Sequence, residues 1–237
     1  MKPRKWHKTG HGILPEIWNR MRQWRRKKPC HGSGQMKSII RWNIVGMQPK
    51  AIDPKLWGAS AWHILHRLSF VFRNAKNARQ FYMSLLILLP CPKCRGSLGE
   101  HLKKHPFPTN HKDIPEWCIR LHNMVNASMG KEPYRVHDMY EVRTIYTEPS
   151  EKEWTFIRAL VDSHPGKRFI TSEHVNALHT FFVSWTKGQK GVSAPSKVDI
   201  SNKTFLQQWL RKNDPSKTPV IFDVCSTNTC EIRVGGN

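Results

Sequence analysis

Residues 53–105 read DPKLWGASAWHILHRLSFVFRNAKNARQFYMSLLILLPCPKCRGSLGEHLKKH, and this stretch decides the fold class. Leu65, Leu68 and Phe72 recur at intervals of three and four residues. That spacing is typical of one buried face of an α-helix. The pattern therefore predicts a first helix that runs to about Asn74.

Start and stop signals for helices lie at the expected places along this stretch. Asp53 can cap a helix through its carboxylate, and Pro54 is suited to the first turn. A second helix is predicted from about Lys76 to Leu89. Pro90 ends it, because the residue before a proline is disfavoured in the α region.

Two more helices complete the pattern of the central region. One is predicted from Cys91 to about His105, and another from Ile114 to about Met129, with Gly130 as its stop signal. Four helices with short joins predict an all-α fold in the form of a four-helix bundle.

The region after residue 150 carries a weaker pattern that is also mostly helical. A Gly-containing and Pro-containing linker is predicted over residues 187–196, and a short strand over residues 219–224. Apolar residues at helical spacing predict three further helices, around Trp154, Ile157 and Leu160, around Val175, Leu178 and Phe182, and around Phe205, Leu206, Trp209 and Leu210.

Positive charge is concentrated at the beginning of the chain. The net charge of the 237 residues is +22, and residues 1–50 contain 13 Lys and Arg residues but a single acid, Glu16. Such a block attracts polyanions, because binding to phosphates releases condensed counterions. Residues 1–50 are predicted to be a largely disordered extension, in which Ile13 to Lys28 could form a basic amphipathic helix.

Export and membrane insertion are not predicted. The longest apolar run, residues 85–89, is far shorter than the stretch of about 18 residues that a membrane span needs. The basic N-terminus lacks the apolar core of a secretory signal. A soluble, intracellular protein is therefore expected.

A pair of cysteines separated by two residues marks a candidate redox site. At the start of a helix, the partial positive charge of the helix N-terminus stabilises a thiolate, and Lys93 and Arg95 add to this effect. Outside an export pathway, such a pair is more often redox-active or metal-binding than structural. The six cysteines are Cys30, Cys91, Cys94, Cys118, Cys225 and Cys230.

Other interpretations of the pair remain open at this point. Cys91 and Cys94 could bind zinc together with His101 and His105, although the gap between Cys94 and His101 is shorter than usual. A thioredoxin-like motif would need a strand before the pair, whereas a helical pattern precedes it. Two buried, inert cysteines are the third alternative.

Polar and aromatic side chains on the neighbouring helices favour the redox interpretation. Trp62 and His66 share one helix face, and His122 and Asn126 share another. Buried without partners, such polar groups would destabilise an apolar helix. The two faces predict a flat pocket with hydrogen-bonding edges near the cysteine pair.

The order of these motifs resembles the Erv/ALR family of FAD-dependent sulfhydryl oxidases. The motif W-G-x3-W-x3-H starts at Trp57, P-C-x-x-C starts at Pro90, and W-x4-H-N-x-V-N, followed by G-K, starts at Trp117. The resemblance covers roughly residues 53–146 and implies a four-helix bundle with a short fifth helix that binds FAD.

Roles for individual residues follow from the resemblance alone. It implies that Cys94 lies nearest the flavin, and that Cys91 is open to solvent and exchanges with an incoming dithiol. It implies FAD contacts from Gly58, Trp62, His66, Trp117, His122, Asn123, Val125, Asn126 and Lys131, with Phe72 and Tyr134 at positions where the family often has aromatic residues.

The chain departs from the family pattern in one structural feature. Cellular members usually carry a second disulfide, but the matching positions are Ile119 and Val136, and Cys118 is one residue away from the first of them. At the position after Gly58, where the family commonly has an Arg, this chain has Ala59. The compact oxidases of large DNA viruses similarly lack that disulfide, so the pattern is most similar to theirs.

The resemblance also implies an activity and its partners. A thiol oxidase forms disulfide bonds in protein dithiol substrates and passes the electrons through FAD to oxygen, which yields hydrogen peroxide. Members are commonly dimers, so a homodimer is expected, and for a viral member the location would be the host cytoplasm or the virion. Cys225 and Cys230 match a shuttle pair, although a local structural disulfide or two free thiols would also suit them.

Three segments are therefore predicted: a basic extension over residues 1–50, an oxidase domain over 51–146, and a helical extension or small domain over 147–237. Because Met47 lies just before the second segment, residues 1–46 are expected to be dispensable for catalysis. The alternative function is binding of nucleic acid or another polyanion through residues 1–50, with the cysteine pair as a structural or zinc site.

Overall fold

Helix α1 (Pro54–Val71) begins where its cap was predicted. The carboxylate of Asp53 accepts a hydrogen bond from the backbone N–H of Lys55 at 2.9 Å, and Pro54 occupies the first turn. The computed structural model describes residues 51–134 and 139–216, which lie in the compact unit Met47–Asn237. All regular elements in these two ranges are helical, so the prediction of an all-α fold is confirmed.

The next three helices also form close to their predicted bounds. They are α2 (Ala75–Leu88), α3 (Pro92–Lys104) and α4 (Ile114–Ser128), the last of which follows a 3₁₀ turn at His111–Asp113. Gly130 has a φ of 65°, the left-handed conformation that glycine adopts readily just after a helix.

Five further helices follow within the described residues. Loop structure over residues 187–196 separates the third of them from the fourth, as predicted, and Gly188 and Gly191 adopt positive φ there. These helices are α5 (Met139–Tyr146), α6 (Glu153–Asp162), α7 (Ser172–Trp185), α8 (Lys197–Ser201) and α9 (Lys203–Asn213).

The later helices share a hydrophobic core with the earlier ones. Helix α1 packs against α4 and α6, while α2 packs against α3 and α7. Trp57 of α1 contacts Phe156 of α6 at a ring-centroid distance of 5.3 Å, and Phe81 of α2 stacks on Phe181 of α7 at 5.4 Å. Residues after 146 therefore help to form the core, and a domain boundary at that position stays a prediction.

Several predictions concern residues outside the described ranges. They are the helix over residues 13–28, the strand over 219–224, and the roles of Cys30, Val136, Cys225 and Cys230. Among the described helices, none is both long and apolar enough to cross a membrane.

Candidate functional site

Cys91 and Cys94 form a disulfide at the N-terminus of α3, with a distance of 5.2 Å between their Cα atoms. Cys91 is the N-cap residue, and its Sγ accepts a hydrogen bond from the backbone N–H of Cys94 at 3.1 Å. Pro92 occupies the first turn, where a missing N–H costs no helical hydrogen bond. The first turn thus places both sulfurs at the positive end of the helix dipole.

The two sulfurs differ in exposure, and the order is the opposite of the expected one. Cys91 is only 1% exposed, whereas Cys94 is half-buried. The prediction that Cys91 is open to solvent is therefore wrong for this conformation. The physical reason is that Ile52, itself fully buried, donates its N–H to the carbonyl oxygen of Pro90 at 2.8 Å and packs in the same core as Cys91.

Five aromatic side chains form a compact group, which we call the ring cluster: Trp62, His66, His122, Tyr134 and Tyr146. The indole of Trp62 stacks on the imidazole of His122, with centroids 3.9 Å apart and planes 8° from parallel. Tyr134 stacks on both imidazoles, at 5.7 Å from His66 and 5.4 Å from His122. Helices α1, α4 and α5 therefore contribute flat groups to one place.

The two histidines of the ring cluster are directly hydrogen-bonded. Nε2 of His66 lies 2.9 Å from Nδ1 of His122. Burial and the neighbouring His122 lower the pKa of His66 to about 3, while burial and the charge of Lys131 lower the pKa of His122 to about 4. Both imidazoles are therefore neutral at pH 7, and one of them donates to the other.

Two asparagines of α4 hold the chain segment that follows that helix. Oδ1 of Asn123 accepts the backbone N–H of Tyr134 at 2.6 Å, which fixes the tyrosine of the ring cluster. Nδ2 of Asn126 donates to the carbonyl oxygen of Glu132 at 3.3 Å. The backbone N–H of Lys131 donates to the carbonyl oxygen of Asn126 at 2.9 Å. The asparagines therefore shape the backbone beside the ring cluster.

The remaining predicted cofactor contacts on these elements have more open surroundings. Lys131 is exposed, and its positive charge helps to lower the pKa of His122 in the ring cluster. Val125 is half-buried on α4. At Gly58 of α1, an added Cβ would meet no other atom within 4 Å, so the backbone there faces open space.

Two predicted cofactor contacts lie in the hydrophobic core and do not join the ring cluster. Phe72 is 3% exposed and packs against Phe81 and Tyr82. Trp117 is 4% exposed and packs against Tyr82 and Phe107. Both rings pack in the core in this structure, and His105 also stacks on Trp117. A contact of either ring with the cofactor stays a prediction.

The sequence interpretation missed two residues beside this site. Tyr146 stacks on His66 with centroids 4.7 Å apart, and the edge of His63 contacts Tyr146 at 5.3 Å. A signal existed for His63, since it lies between Trp62 and His66 in the motif. Tyr146 lies at the end of α5, which the resemblance had implied only as a short fifth helix.

The ring cluster fits a flat, polar-edged cofactor of the kind that FAD represents. Nδ1 of His66 is buried and has no hydrogen-bond partner among the described residues, a costly state that an added acceptor or donor would relieve. The open face at Gly58 leaves room beside α1. Stacked aromatic rings with one orphaned imidazole nitrogen are therefore suited to a planar heteroaromatic ligand.

The zinc interpretation finds no support in the geometry. Cys91 and Cys94 are joined to each other, and residues 51–134 and 139–216 contain no group of three or more Cys, His, Asp or Glu side chains arranged to hold a metal ion. His101 lies next to Ser97, and His105 stacks on Trp117. These two imidazoles are therefore engaged in local contacts at α3 and α4.

Comparison with known proteins identifies relatives across the region that contains the site. The mimivirus of Acanthamoeba polyphaga has a protein named probable FAD-linked sulfhydryl oxidase that is 26% identical over 119 residues, covering 45% of this chain and 83% of the relative. The FAD-linked sulfhydryl oxidase of African swine fever virus is 29% identical over 99 residues, covering 39% and 81%. An FAD-linked sulfhydryl oxidase of Oryza sativa is 28% identical over 81 residues, covering 31% and 42%.

The family model agrees with these relatives. No solved structure matches the chain. The model of the Erv1/Alr family matches residues 59–146, which include the cysteine pair, the ring cluster and both asparagines. Residues 59–146 are therefore similar to the Erv1/Alr family.

Proposed function

We propose that this chain is a flavin-dependent thiol oxidase that forms disulfide bonds in protein substrates. The single observation that supports this most strongly is the disulfide of Cys91 and Cys94 at a helix N-terminus, in the same bundle as a ring cluster suited to FAD. The relatives are named FAD-linked sulfhydryl oxidases, which supports the same activity.

The substrate half of the reaction is a thiol–disulfide exchange. Once movement of the segment at Ile52 exposes the buried Cys91, a substrate thiolate attacks its Sγ. The bond to Sγ of Cys94 then breaks, which leaves Cys94 as a thiolate. The second substrate thiol then attacks the mixed disulfide and releases Cys91. The substrate loses two electrons and two protons as its disulfide forms, and the cysteine pair gains the two electrons.

The first turn of α3 stabilises the released sulfurs. Its positive dipole end favours an anion at both positions, and the N–H of Cys94 already points at Sγ of Cys91. Arg95 adds a positive charge nearby, although its guanidinium donates to the carbonyl oxygen of Leu89 and is partly buried. Cys94 in the first step and Cys91 in the second are therefore good leaving groups.

FAD, when bound, would supply the two-electron transfer from the reduced cysteine pair to oxygen, with hydrogen peroxide as the product. We assign its binding to Gly58, Trp62, His66, His122, Asn123, Val125, Asn126, Lys131 and Tyr134. The predicted contacts of the buried Phe72 and Trp117 with FAD belong to the same proposal.

The packing of α3 on α4 supports placing Cys94 beside the cofactor. His105 at the end of α3 contacts Trp117 near the beginning of α4, and the two helices pack together. The opposite ends of the two helices carry Cys94 and the segment 123–126. Cys94 is also the more exposed sulfur, so it has open space beside it for a ligand.

The proposed function is tested by two measurements on the purified chain. We expect bound FAD, identified by its visible absorbance and by release on denaturation, and oxygen consumption with hydrogen peroxide formation when a small dithiol is added. A colourless protein that neither binds added FAD nor consumes oxygen with the dithiol would contradict the proposal.

The composition of residues 1–50 supports a second, accessory function in polyanion binding. The test is a chain that begins at Met47. If salt-sensitive nucleic-acid binding disappears in this variant while thiol oxidation persists, the basic block is an accessory to the oxidase.

An intracellular location, in the host cytoplasm or virion for a viral chain, is part of the oxidase proposal.

A further inference from the structure

The carboxylate of Glu153 is the centre of a buried polar network at the N-terminus of α6. The residue is 0% exposed. Its Oε1 accepts from Nε of Arg67 at 2.7 Å, and its Oε2 accepts from a terminal guanidinium nitrogen of the same arginine at 3.0 Å. Trp185 and Gln189 also donate to Oε2, at 2.7 and 2.9 Å. One carboxylate therefore connects α1 to α6, α7 and the loop after α7.

This carboxylate is held in its ionised form. Burial alone would raise the pKa of Glu153, yet hydrogen bonds from His63, Arg67 and Trp185, together with the positive charge of Arg67, hold it below its ordinary value. A two-pronged guanidinium contact fixes orientation as well as charge. The position of Glu153 relative to α1 is consequently well defined.

One partner of Glu153 leads directly to the ring cluster. Nδ1 of His63 lies 2.9 Å from Oε1 of Glu153. The ring of His63 then contacts Tyr146 edge-on at 5.3 Å, and Tyr146 stacks on His66 at 4.7 Å. A continuous series of contacts therefore joins the buried carboxylate to the imidazole whose Nδ1 lacks a partner.

A second connection fixes the same helix end. The hydroxyl of Ser60 on α1 donates to the carbonyl oxygen of Lys152 and accepts the backbone N–H of Phe156, the latter at 3.1 Å. Ser60 lies two residues before Trp62, and Lys152 directly precedes Glu153. The start of α6 is therefore attached to α1 on both sides of the motif that supplies Trp62 and His66.

We propose that Glu153 is a positioning residue for the flavin site: through His63 and Tyr146 it fixes the wall formed by His66, so the helices after residue 146 contribute to flavin affinity. The proposal rests on the proposed function for the identity of the ligand. The family model ends at Tyr146, so Glu153, which positions His66, lies outside the matched segment.

The test compares two variants with a matched control. Glu153→Gln removes the charge from the network, and His63→Ala removes the link to Tyr146 while the contact between Glu153 and Arg67 remains. The control is Asp214→Asn, because Asp214 forms a comparable carboxylate–guanidinium pair with Arg158, at 2.5 and 2.7 Å. That pair joins α6 to the residue following α9, and within residues 51–134 and 139–216 its two side chains form no hydrogen bond with α1.

Two readouts are measured for each full-length variant. One is the affinity of the flavin-free protein for added FAD, by fluorescence titration. The other is the set of imidazole signals in histidine-labelled protein without flavin, by NMR. We expect FAD affinity to fall about tenfold or more, the equivalent of about 1.4 kcal/mol, in Glu153→Gln and His63→Ala. The signals of His66 and His122 should shift in both variants, and Asp214→Asn should change neither readout.

The outcomes separate this inference from the proposed function. Unchanged FAD affinity and unchanged His66 signals in His63→Ala would overturn the inference, even if the wild-type chain is an active oxidase. A wild-type chain that binds no FAD would overturn the proposed function, while the NMR comparison would still decide whether Glu153 positions His66. If Glu153→Gln does not fold, His63→Ala carries the test, because it leaves the buried arginine paired.

Discussion

Nε2 of His66 and Nδ1 of His122 lie 2.9 Å apart, although 56 residues separate them in the chain. The contact ties α1 to α4 at the centre of the ring cluster. Because burial disfavours the charged form of each imidazole, the pair exists as two neutral rings that share one hydrogen bond. The other nitrogen of His66 is left buried without a partner among the described residues.

This pair predicts that the fold loses stability in mild acid. The folded-state pKa values, about 3 for His66 and about 4 for His122, lie below the ordinary value of 6.5. The unfolded chain therefore binds more protons than the folded chain between about pH 6.5 and 4, and the free energy of unfolding falls as the pH falls through that window. Between pH 7 and 5 we expect a loss on the order of 2 kcal/mol per imidazole.

Urea unfolding at several pH values measures this dependence. The control is the double variant His66→Gln with His122→Gln, which should show a shallower dependence on pH over the same window. Equal slopes for the wild type and the double variant would show that the imidazole pair is not the source of acid sensitivity.

The three cysteines of the described residues should differ sharply in their importance for turnover. Cys91→Ser and Cys94→Ser each remove one partner of the disulfide and should abolish oxygen consumption with a dithiol. Cys118→Ser should leave turnover intact, because Cys118 is a free, fully buried thiol. Substantial turnover in Cys94→Ser would reject the assignment of the redox pair.

Cys118 should also be chemically silent in the folded protein. Burial raises the pKa of its thiol to about 12, so almost none of the reactive thiolate exists at neutral pH. Native protein treated with an alkylating reagent and analysed by mass spectrometry should remain unmodified at Cys118, and unfolding in urea should expose it. Rapid modification in the native state is the result that this account does not allow.

Ile52 should limit access of reductants to Cys91. The isoleucine is fully buried in the same core as Cys91, and its backbone is hydrogen-bonded to the residue before Cys91, so we expect truncation of its side chain to loosen the packing around that cysteine. We expect Ile52→Ala to accelerate reduction of the Cys91–Cys94 disulfide by a small phosphine. Quenched-flow sampling with thiol labelling gives the rate.

Ile200→Ala is a matched control for this experiment, since Ile200 of α8 is also fully buried. Both substitutions remove the same atoms and should destabilise the fold by about 2 to 5 kcal/mol. Only Ile52→Ala should change the reduction rate. If the two variants accelerate reduction equally, general loosening and not the position of Ile52 is responsible.

Helix positions could be predicted from local chemistry, because the signals are short-range. Asp53, Asn74 and Gly130 mark helix ends through contacts within a few residues of themselves, and α1 to α4 follow these marks closely. The grouping of Trp62, His66 and His122 was also predictable. These side chains are polar or aromatic on otherwise apolar helix faces, and their motifs follow one another in the same order as in a known family. Both signals indicated a shared site.

Long-range relationships could not be predicted in the same way. Glu153 contacts His63 and Arg67 across 90 and 86 residues, and nothing in the sequence around it distinguishes it from a solvated helix-capping acid. Phe72 and Trp117 carry the same ring chemistry as the residues of the ring cluster, so the sequence alone did not show that they are buried away from that cluster. The burial of Cys91 likewise arises from a core that Ile52, in a separate segment, helps to form.

The contact between Cys94 and the flavin is the central claim, and the visible spectrum of the two FAD-loaded serine variants tests it most directly. In Cys91→Ser, the unpaired Cys94 thiolate should lie against the flavin and produce a long-wavelength charge-transfer band that disappears on acidification. Cys94→Ser should bind FAD without that band. A band in Cys94→Ser alone, or in neither variant although both bind FAD, would contradict the account.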